Sequence, residues 1–481
     1  MKKLFPPINA ATVTGYLLVL LFLIRGFFNG TLPLMDKTEA RYAEIARLMA
    51  ETGEWIVLQI DYGVPFWAKP PLSTWFSAAS ISLFGEAEFF VRLPYLLACL
   101  AMVLLVGKYR PSNKMSFYLP GLVLMSLPEF YLHAGVVSTD TFLSLSIALV
   151  MLSFWEGIQD NAKTYWRYLL FVGMGLGLLT KGPIVGILTV PPILLWCTLS
   201  DFKWKTLLRF PIVIGALVSL GIAVPWYIWA ELRSPGFIDY FIVGEHFKRY
   251  LDSSWSGDKY GFPKQQPMGM VWLFLIGAVL PWIGSFIKKM KAQGRGLFKD
   301  QWSLYLLFWL LWTPFFFTSS KSLIHPYTLP VMIPFALLIV HYWEGIKLKK
   351  IHLFLALELP LLLVAVYFSG AVDQVFLDNS DKTLVASAPK NSTLYALDWK
   401  SYSSQYYSQG QVEVVLADTL LQQLRKKEDF AVIIRHKDFE GLPLIVKDQL
   451  ELLTKNKKRG VYKAIHKQYS GTAQLFPEKN F

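Results

Sequence analysis

The chain has 481 residues, of which 54% are hydrophobic and only 17% are charged, and its mean hydropathy is +0.39. Soluble domains carry roughly 25% charged residues, so this composition excludes an ordinary soluble protein. The net charge of +13 does not indicate a nucleic-acid partner, because the basic residues lie between apolar segments.

Apolar segments recur through the first three quarters of the chain. Each is long enough to cross roughly 30 Å of hydrocarbon as a helix. Loops rich in Lys and Arg separate them, as in the cytoplasmic loops of multispan proteins. The sequence therefore predicts an all-α polytopic membrane protein with about eleven transmembrane helices and a cytoplasmic N-terminus. The predicted spans are 11–28, 89–107, 115–133, 139–156, 167–181, 183–199, 207–230, 268–287, 301–319, 326–343 and 352–370.

The tail of the chain has a different character. TLYAL, VEVVLA, FAVIIR and LPLIV predict short strands, and DTLLQQLRKKED predicts a helix between them. We expect residues 1–370 to form the membrane domain and residues 371–481 a small α/β domain. An odd number of spans places this tail and the long loops 29–88 and 231–267 on the non-cytoplasmic face. Residues 70–84 are also apolar, but a span there would invert every later basic loop, so we interpret them as an interfacial helix.

The stretch MDKTEARYAEIARL opens the first outer loop and carries several charges. Apolar residues recur at helical spacing from Tyr42 onward, which predicts a helix at the membrane boundary. Asp36 and Glu39 are three residues apart. This is the spacing of a helix-capping pair, and it also places two carboxylates near each other for proton transfer. Spacing alone leaves both interpretations open.

Further polar residues fall on the same predicted face. Lys69, in FWAKPPLSTW, lies between rigid prolines and aromatic side chains, which suits a cation for a phosphate, although many interfacial lysines only snorkel. Asp140 begins a span, where either Ser138 or Asp140 caps the helix or Asp140 is a functional group; both interpretations stay open. His246, in GEHFKRYL, has too few neighbouring ligands for a metal site. The short loop before the tenth span adds Lys321, His325 and Tyr327.

Carboxylates, cations and aromatic rings on one outer face can move a group from a lipid-borne phosphate. A carboxylate takes the acceptor's proton, cations hold the charge on the leaving phosphate, and aromatic faces contact the sugar. A transporter or flippase of lipid-linked sugars is the main alternative, but its charges are expected at mid-span. Arg25 is the main exception to the outer placement. An inactive glycan-binding relative is a third hypothesis.

The sequence resembles a known family over roughly residues 10–345. The motifs that carry the resemblance are TEARYAEIARL, EFFVRLP, GLGLLTKGP, PWYIWAELRSPGFIDYFIVGEHFKRYL and KSLIHPYTLPVMIPFALL. They resemble the aminoarabinose lipid A transferase branch of the family that also contains the protein O-mannosyltransferases. The resemblance implies a GT-C fold and a polyprenyl-phosphate-linked sugar as donor. No nucleotide motif is found in the sequence.

The resemblance also implies roles near the first outer loop. An acidic pair there supplies the catalytic carboxylate, but this chain has Asp36 two positions early and Glu39 in place, so we expect Asp36 to act, with Glu39 next. Lys69 is expected to contact the donor phosphate, with help from Arg41. Ala68 stands where the aminoarabinose enzymes have a metal-binding glutamate, so no metal or other cofactor is expected.

Substrate-binding roles are implied for four further residues: Asp140, His246, Lys321 and Tyr327. The expected reaction is transfer of a sugar, with inversion, from a polyprenyl-phosphate carrier to lipid A or another envelope glycan. A protein acceptor, as in the O-mannosyltransferases, is an alternative. The expected partners are the bilayer, the donor and the acceptor, without nucleic acid. The expected location is the bacterial inner membrane, with the active site on the periplasmic face.

Overall fold

The computed structural model describes residues 10–465, except residues 37, 111, 113–114, 201, 249–256, 258, 261–264, 321, 347–348, 391 and 427. The chain divides into two compact units. The first unit contains Met1–Leu32 and Tyr42–Gly370, and the second contains Pro33–Arg41 and Ala371–Phe481. The predicted helical fold with a small C-terminal sheet is confirmed.

The described part of the first unit is mainly helical, with one short hairpin, β1 (Gln59–Asp61) with β2 (Val64–Pro65). Its α-helices are α1 (Ala10–Thr31), α2 (Thr38–Thr52, whose first residues belong to the second unit), α3 (Leu72–Phe84), α4 (Glu88–Gly107), α5 (Leu119–Met125), α6 (Pro128–His133), α7 (Thr139–Gly157), α8 (Thr164–Lys181), α9 (Ile184–Leu199), α10 (Ile212–Arg233), α11 (Met270–Ala278), α12 (Ile283–Gln293), α13 (Gln301–Phe317), α14 (Met332–His341) and α15 (Lys349–Phe368). A π-helix covers Asp239–Lys248, and 3₁₀ helices cover Trp204–Arg209, Gly294–Phe298, His325–Val331 and Trp343–Gly345.

Helices occur at all the segments predicted to span the membrane. Among the described residues, five helices are long and apolar enough to cross it, or up to six if the bent pair α11 and α12 counts as one span. The third predicted span is broken after Met125, because Pro128 begins a separate helix. The number of crossings therefore stays a prediction, whereas the apolar helices themselves are confirmed.

Glycines in GMGLGLL let α8 pack closely against its neighbours, as the small-residue pattern indicates. A Cβ on Gly173 would lie 2.9 Å from the Leu149 Cβ, and one on Gly175 would lie 3.0 Å from the Ser219 carbonyl oxygen. These contacts place α8 against α7 on one side and α10 on the other. Close packing fixes the end of α8 relative to the beginning of α7.

Arg25 is buried and serves the fold. Its guanidinium donates to the carbonyl oxygens of Ala134 at 3.0 Å and Leu132 at 2.8 Å, where α6 ends. Asn29 donates to the Ala134 oxygen as well, at 3.2 Å. Carbonyl groups at a helix end need such donors, because they lack partners within the helix. Arg25 thus gives no support to a transport path.

The second unit is built on a five-stranded sheet. Its strands are β3 (Thr393–Leu397), β4 (Glu413–Val415), β5 (Phe430–Arg435), β6 (Leu450–Lys455) and β7 (Arg459–Ala464). The order across the sheet is β4-β3-β5-β7-β6, with β3 parallel to β4 and β5, and β7 antiparallel to β5 and β6. The other elements are helices α16 (Asp373–Asn379), α17 (Lys382–Ser387), α18 (Tyr402–Tyr407), α19 (Ala417–Lys426), α20 (His436–Gly441) and α21 (Leu444–Lys447).

Three predicted strands and the predicted helix of this unit are confirmed, but the strand predicted at LPLIV is wrong. That segment forms the helical turn Leu444–Lys447, directly after Pro443. Proline has a φ suited to the start of a helix and cannot donate to a strand partner. The hairpin of β6 and β7 was not predicted, because a register shift between Leu452 and Thr454 interrupts the alternation of apolar and polar residues.

Candidate functional site

Asp140 and Lys181 form a largely buried ion pair between the beginning of α7 and the end of α8. The Lys181 Nζ donates to the Asp140 Oδ1 at 2.6 Å, and the two side chains are 13% and 8% exposed. The helix cap is Ser138, whose Oγ accepts the backbone N–H of Asp140. The carboxylate of Asp140 is directed to Lys181, and the cap belongs to Ser138, one of the two residues predicted for it.

Tyr327 belongs to the same cluster. The Lys181 Nζ lies 4.5 Å from the centre of the Tyr327 ring, within the range of a cation–π contact. The ring also packs against Phe317 at 4.9 Å between centroids. The 3₁₀ helix that carries Tyr327 contains Pro326 and Pro330, which restrict its backbone. The ends of α7 and α8 and the 3₁₀ helix thus bring together the carboxylate of Asp140, the ammonium of Lys181 and the ring of Tyr327.

Lys69 forms another ion pair in the first unit. Its Nζ donates to the Glu245 Oε2 at 3.3 Å and to the carbonyl oxygen of Ala68 at 2.6 Å. Glu245 comes from the π-helix, has a side chain only 4% exposed, and accepts from the Tyr240 hydroxyl at 3.3 Å. Lys69 also acts electrostatically on Asp140, so the two ion pairs belong to one neighbourhood.

Aromatic side chains hold the backbone beside Lys69. The Tyr260 hydroxyl donates to the Pro65 carbonyl at 2.8 Å and accepts the Trp67 backbone N–H at 3.1 Å. The Trp67 indole donates to the Ser234 hydroxyl at 2.7 Å, and the Lys259 Nζ lies 4.1 Å from the Trp67 ring centre. Three other parts of the chain therefore hold the segment around Lys69: Ser234, the π-helix with Glu245, and the pair Lys259 and Tyr260. A preorganised cation requires such support.

The metal site of the resembled enzymes does not fit the residues found around Lys69. The methyl group of Ala68 offers no ligand, and the nearby Glu245 is paired with Lys69. His246 falls within the π-helix, but its side chain lies outside the described residues, as does the whole of Lys321. We derive no chemical step from a metal at this position.

Asp36 is an integral part of the second unit. Its carboxylate accepts from the Ser403 backbone N–H at 2.9 Å, from the Ser403 hydroxyl at 2.8 Å and from Arg459 at 3.3 Å. Arg459 also pairs with the buried Asp381. Burial raises the pKa of the Asp381 carboxyl to about 6, and Asp36 raises this pKa as well, whereas Arg459 lowers it. Asp36 and Asp381 thus share one guanidinium.

Glu39 and Arg41 occupy the first turn of α2 and belong to the second unit. A Glu39 oxygen accepts the backbone N–H of Met35 at 3.4 Å. The Arg41 guanidinium lies 5.9 Å from the centre of the Tyr402 ring. The described partners of Asp36 are Ser403, Arg459 and the Asn379 carbonyl, which accepts the Asp36 backbone N–H.

Sequence reasoning missed Lys181 and did not select Glu245. Lys181 lies in the motif GLLTKGP, at the end of an apolar helix before a glycine. A lysine there is usual, because cations stabilise helix C-termini. Glu245 directly precedes His246, and the motif was interpreted through its histidine and not through its glutamate. The useful signal was a charged residue at the outer end of a predicted span, the same signal that identified Asp140.

Comparisons with known proteins identify related transferases. A family model described as dolichyl-phosphate-mannose-protein mannosyltransferase matches residues 30–241. Undecaprenyl phosphate-alpha-4-amino-4-deoxy-L-arabinose arabinosyl transferase 1 of Proteus mirabilis is 28% identical over 348 residues, 69% of this chain and 60% of the relative. The corresponding transferase of Aeromonas salmonicida is 31% identical over 316 residues, 64% of this chain and 55% of the relative. The chain thus spans well under two thirds of their length.

The fold matches a solved structure along almost the whole chain. ArnT from Cupriavidus metallidurans bound to undecaprenyl phosphate has a TM-score of 0.76 at 16% identity, covering 95% of this chain and 98% of that one. The apo state of that protein gives a TM-score of 0.72 at 18% identity. The resemblance predicted from the sequence and its GT-C fold are confirmed, and the chain is a multi-pass membrane protein.

Proposed function

We propose that this GT-C chain, a relative of the undecaprenyl-phosphate aminoarabinose transferases, is a membrane glycosyltransferase that takes its sugar from a polyprenyl-phosphate carrier. The observation that carries the proposal is the cluster of Lys69, Asp140, Lys181 and Tyr327, in which two lysines lie at the ends of apolar helices and turns. Charged groups in such places are costly and mark functional sites. The curated relatives, named as arabinosyl transferases acting with undecaprenyl phosphate, support the same reaction class.

The proposed reaction transfers the sugar in one displacement. The acceptor hydroxyl oxygen forms a bond to the anomeric carbon, and the bond from that carbon to the carrier phosphate breaks with its electron pair leaving on the phosphate. Lys69 and Lys181 stabilise the negative charge that develops on the phosphate oxygen. The rings of Tyr327, Trp67 and Tyr260 provide aromatic faces for the sugar or the isoprenoid chain.

A carboxylate removes the acceptor's proton in this scheme. The two predicted bases are Asp36 and Glu39. Both oxygens of Asp36 accept hydrogen bonds from Ser403 and one also contacts Arg459, which favours a structural role for Asp36. Glu39 is therefore proposed as the base. Arg41, two residues after Glu39, is proposed as an additional contact to the phosphate.

We propose a lipid A molecule or another envelope glycan as the acceptor, and the periplasmic face of the inner membrane as the location. The curated relatives are aminoarabinose transferases, and the solved ArnT structure was determined with undecaprenyl phosphate. Both observations support a lipid donor that is presented within the bilayer. His246 and Lys321 are proposed to contact the substrates, as the sequence motifs indicate.

A transfer assay tests the proposal. Purified protein is incubated with a radiolabelled polyprenyl-phosphate sugar and a lipid A acceptor, and labelled product is separated by chromatography. We expect Lys69→Met and Lys181→Met each to lower the rate about 100-fold or more, in line with the loss of an oxyanion-stabilising group. Lys108→Met is the matched control, because Lys108 also pairs with an acid, Glu156, at the end of a helix outside the cluster.

Two outcomes contradict the proposal. Equal losses in Lys108→Met and Lys181→Met would show that Lys181 has no specific role in transfer. Movement of the labelled lipid across liposomes without any labelled product would support the flippase instead.

A further inference from the structure

Glu129, His133 and His325 form a compact cluster that the proposed reaction does not use. Each offers one ligand atom, and the three atoms lie within 4.8 Å of one another. The His325 Nδ1 is 3.0 Å from both carboxylate oxygens of Glu129, and the His133 Nδ1 is 3.1 Å from one of them. Glu129 and His133 are buried, whereas the His325 side chain is 57% exposed.

We propose that Glu129, His133 and His325 bind a divalent metal ion, and that the ion is Zn²⁺. Two imidazoles and one carboxylate are a common ligand set for zinc sites that keep a fourth position open for water or substrate. Zinc–ligand bonds of roughly 2.0–2.2 Å in a tetrahedral arrangement place ligand atoms about 3.3 Å apart. The cluster is close to this spacing, and the exposed ring of His325 can adjust by the remaining distance.

The charge of Glu129 is the first reason for a metal. Its carboxylate is buried, and its hydrogen-bond and ion-pair partners in the described part of the chain are His133 and His325. A buried carboxylate needs a cation or several donors, because desolvation of an unpaired charge is costly. A divalent ion bound by all three residues supplies positive charge directly at this carboxylate.

The rigidity of the backbone is the second reason. Glu129 and His133 are four residues apart on α6, so both side chains project from one face of the helix. The end of this helix is held by Arg25, and the Thr141 hydroxyl bonds the His133 carbonyl at 3.4 Å. The His133 Nδ1 also lies 3.0 Å from the Glu129 carbonyl oxygen, which helps to orient the ring.

The position of the cluster suggests what the ion contacts. His133 acts electrostatically on Asp140, and His325 precedes Tyr327 by two residues. The ion would therefore lie beside the Asp140–Lys181 pair, with its open position available to an anionic oxygen. This site differs from the one lost at Ala68, and it departs from our expectation that no metal is bound. The inference does not depend on the proposed transfer reaction.

Metal binding to the full chain in detergent tests this inference. The protein is stripped with a chelator, equilibrated with Zn²⁺ and analysed by elemental mass spectrometry. We expect one Zn²⁺ per chain, and a visible absorption band typical of tetrahedral coordination when Co²⁺ replaces it. His325→Ala should weaken Zn²⁺ binding by about 100-fold or more, because one of three protein ligands is lost. Its exposed side chain makes this change compatible with folding.

Two further variants keep the test decisive. Glu129→Gln preserves shape but removes the charge, and it should also abolish stoichiometric binding. His436→Ala removes a histidine of the second unit that bonds the Asn456 carbonyl, and it should bind Zn²⁺ as wild type does. Zinc binding that is absent in wild type, or unchanged in His325→Ala, would overturn the inference. A failure of the transfer assay with intact zinc binding would count against the proposed function alone.

Discussion

Replacing Asp36 by asparagine separates a structural role of this acid from a catalytic one. The Asp36 carboxylate accepts two hydrogen bonds from Ser403 and contacts Arg459, and its side chain is only 10% exposed. If Asp36 serves to hold these contacts, Asp36→Asn lowers the stability of the second unit. If Asp36 is the base, the substitution abolishes transfer and leaves the unit intact.

The contacts set the magnitude of the effect. Hydrogen bonds to a charged group contribute about 1.5–3 kcal/mol each. The asparagine amide oxygen can still accept one bond from Ser403, so about one such bond is lost together with the ion pair to Arg459. Relief of the repulsion between Asp36 and Asp381 returns about 1 kcal/mol. We therefore expect Asp36→Asn to lower the stability of the second unit by about 2 kcal/mol, in line with the cost of breaking a largely buried pair.

Hydrogen exchange measured by mass spectrometry on the full chain reads this change locally. Peptides from β3, β5 and β7 should exchange about 30-fold faster in Asp36→Asn, because each 1.4 kcal/mol corresponds to a factor of ten. Glu39→Gln is the matched variant: we expect it to abolish transfer while exchange in these strands stays at the wild-type rate. Unchanged exchange in Asp36→Asn with complete loss of transfer would refute this reasoning and restore Asp36 as the base.

Three further predictions concern other parts of the chain. Gly173→Ala should lower the stability of the protein by about 1–3 kcal/mol, because its Cβ would meet Leu149 and backbone atoms of α7. Gly186→Ala is the control and should leave the stability unchanged, because the space around Gly186 is open. Thermal unfolding in detergent measures both effects. The raised pKa of Asp381 means that the folded second unit keeps a proton on this carboxyl between about pH 4 and 6, where the unfolded chain has lost it. The stability of the second unit should therefore fall as the pH rises through this window. Asp381→Asn should remove this dependence on pH, as measured by hydrogen exchange. The double variant Asp140→Asn with Lys181→Met should be more stable than Lys181→Met alone, because the single variant leaves the buried charge of Asp140 unpaired. Thermal unfolding of the wild type, the single variant and the double variant tests this coupling.

The predictable part of the fold is the part that follows from local pattern. Long apolar runs identified the helices, since backbone groups in lipid must bond within their own segment. FAVIIR was recognised as a strand from its run of β-branched residues, and the structure has Phe430–Arg435 in the centre of the sheet. LPLIV has a similar composition, but Pro443 favours a helical turn there. Composition alone does not distinguish these two segments.

The candidate site was predictable only where a residue type was unusual for its place. Lys69 between prolines and Asp140 at the start of a span met this condition. The partners of Asp36 could not be predicted in this way, because they lie 367 and 423 positions away from it in the sequence. Such pairs depend on how the units fold, and no local pattern reports them. The motif spacing therefore suggested a catalytic pair, whereas packing assigned Asp36 to Ser403 and Arg459.

The charges of the first unit connect the two proposals. Lys69 and Lys181 are each paired with an acid, and Glu129 adds a third carboxylate in the same neighbourhood. The charges of these five groups sum to minus one, and a negative excess disfavours an anionic phosphate. A bound Zn²⁺ would reverse the sign. Removal of zinc should therefore weaken binding of undecaprenyl phosphate in wild type but not in His325→Ala, as measured by displacement of a labelled lipid phosphate. Equal affinity with and without zinc would show that the lysines alone attract the donor.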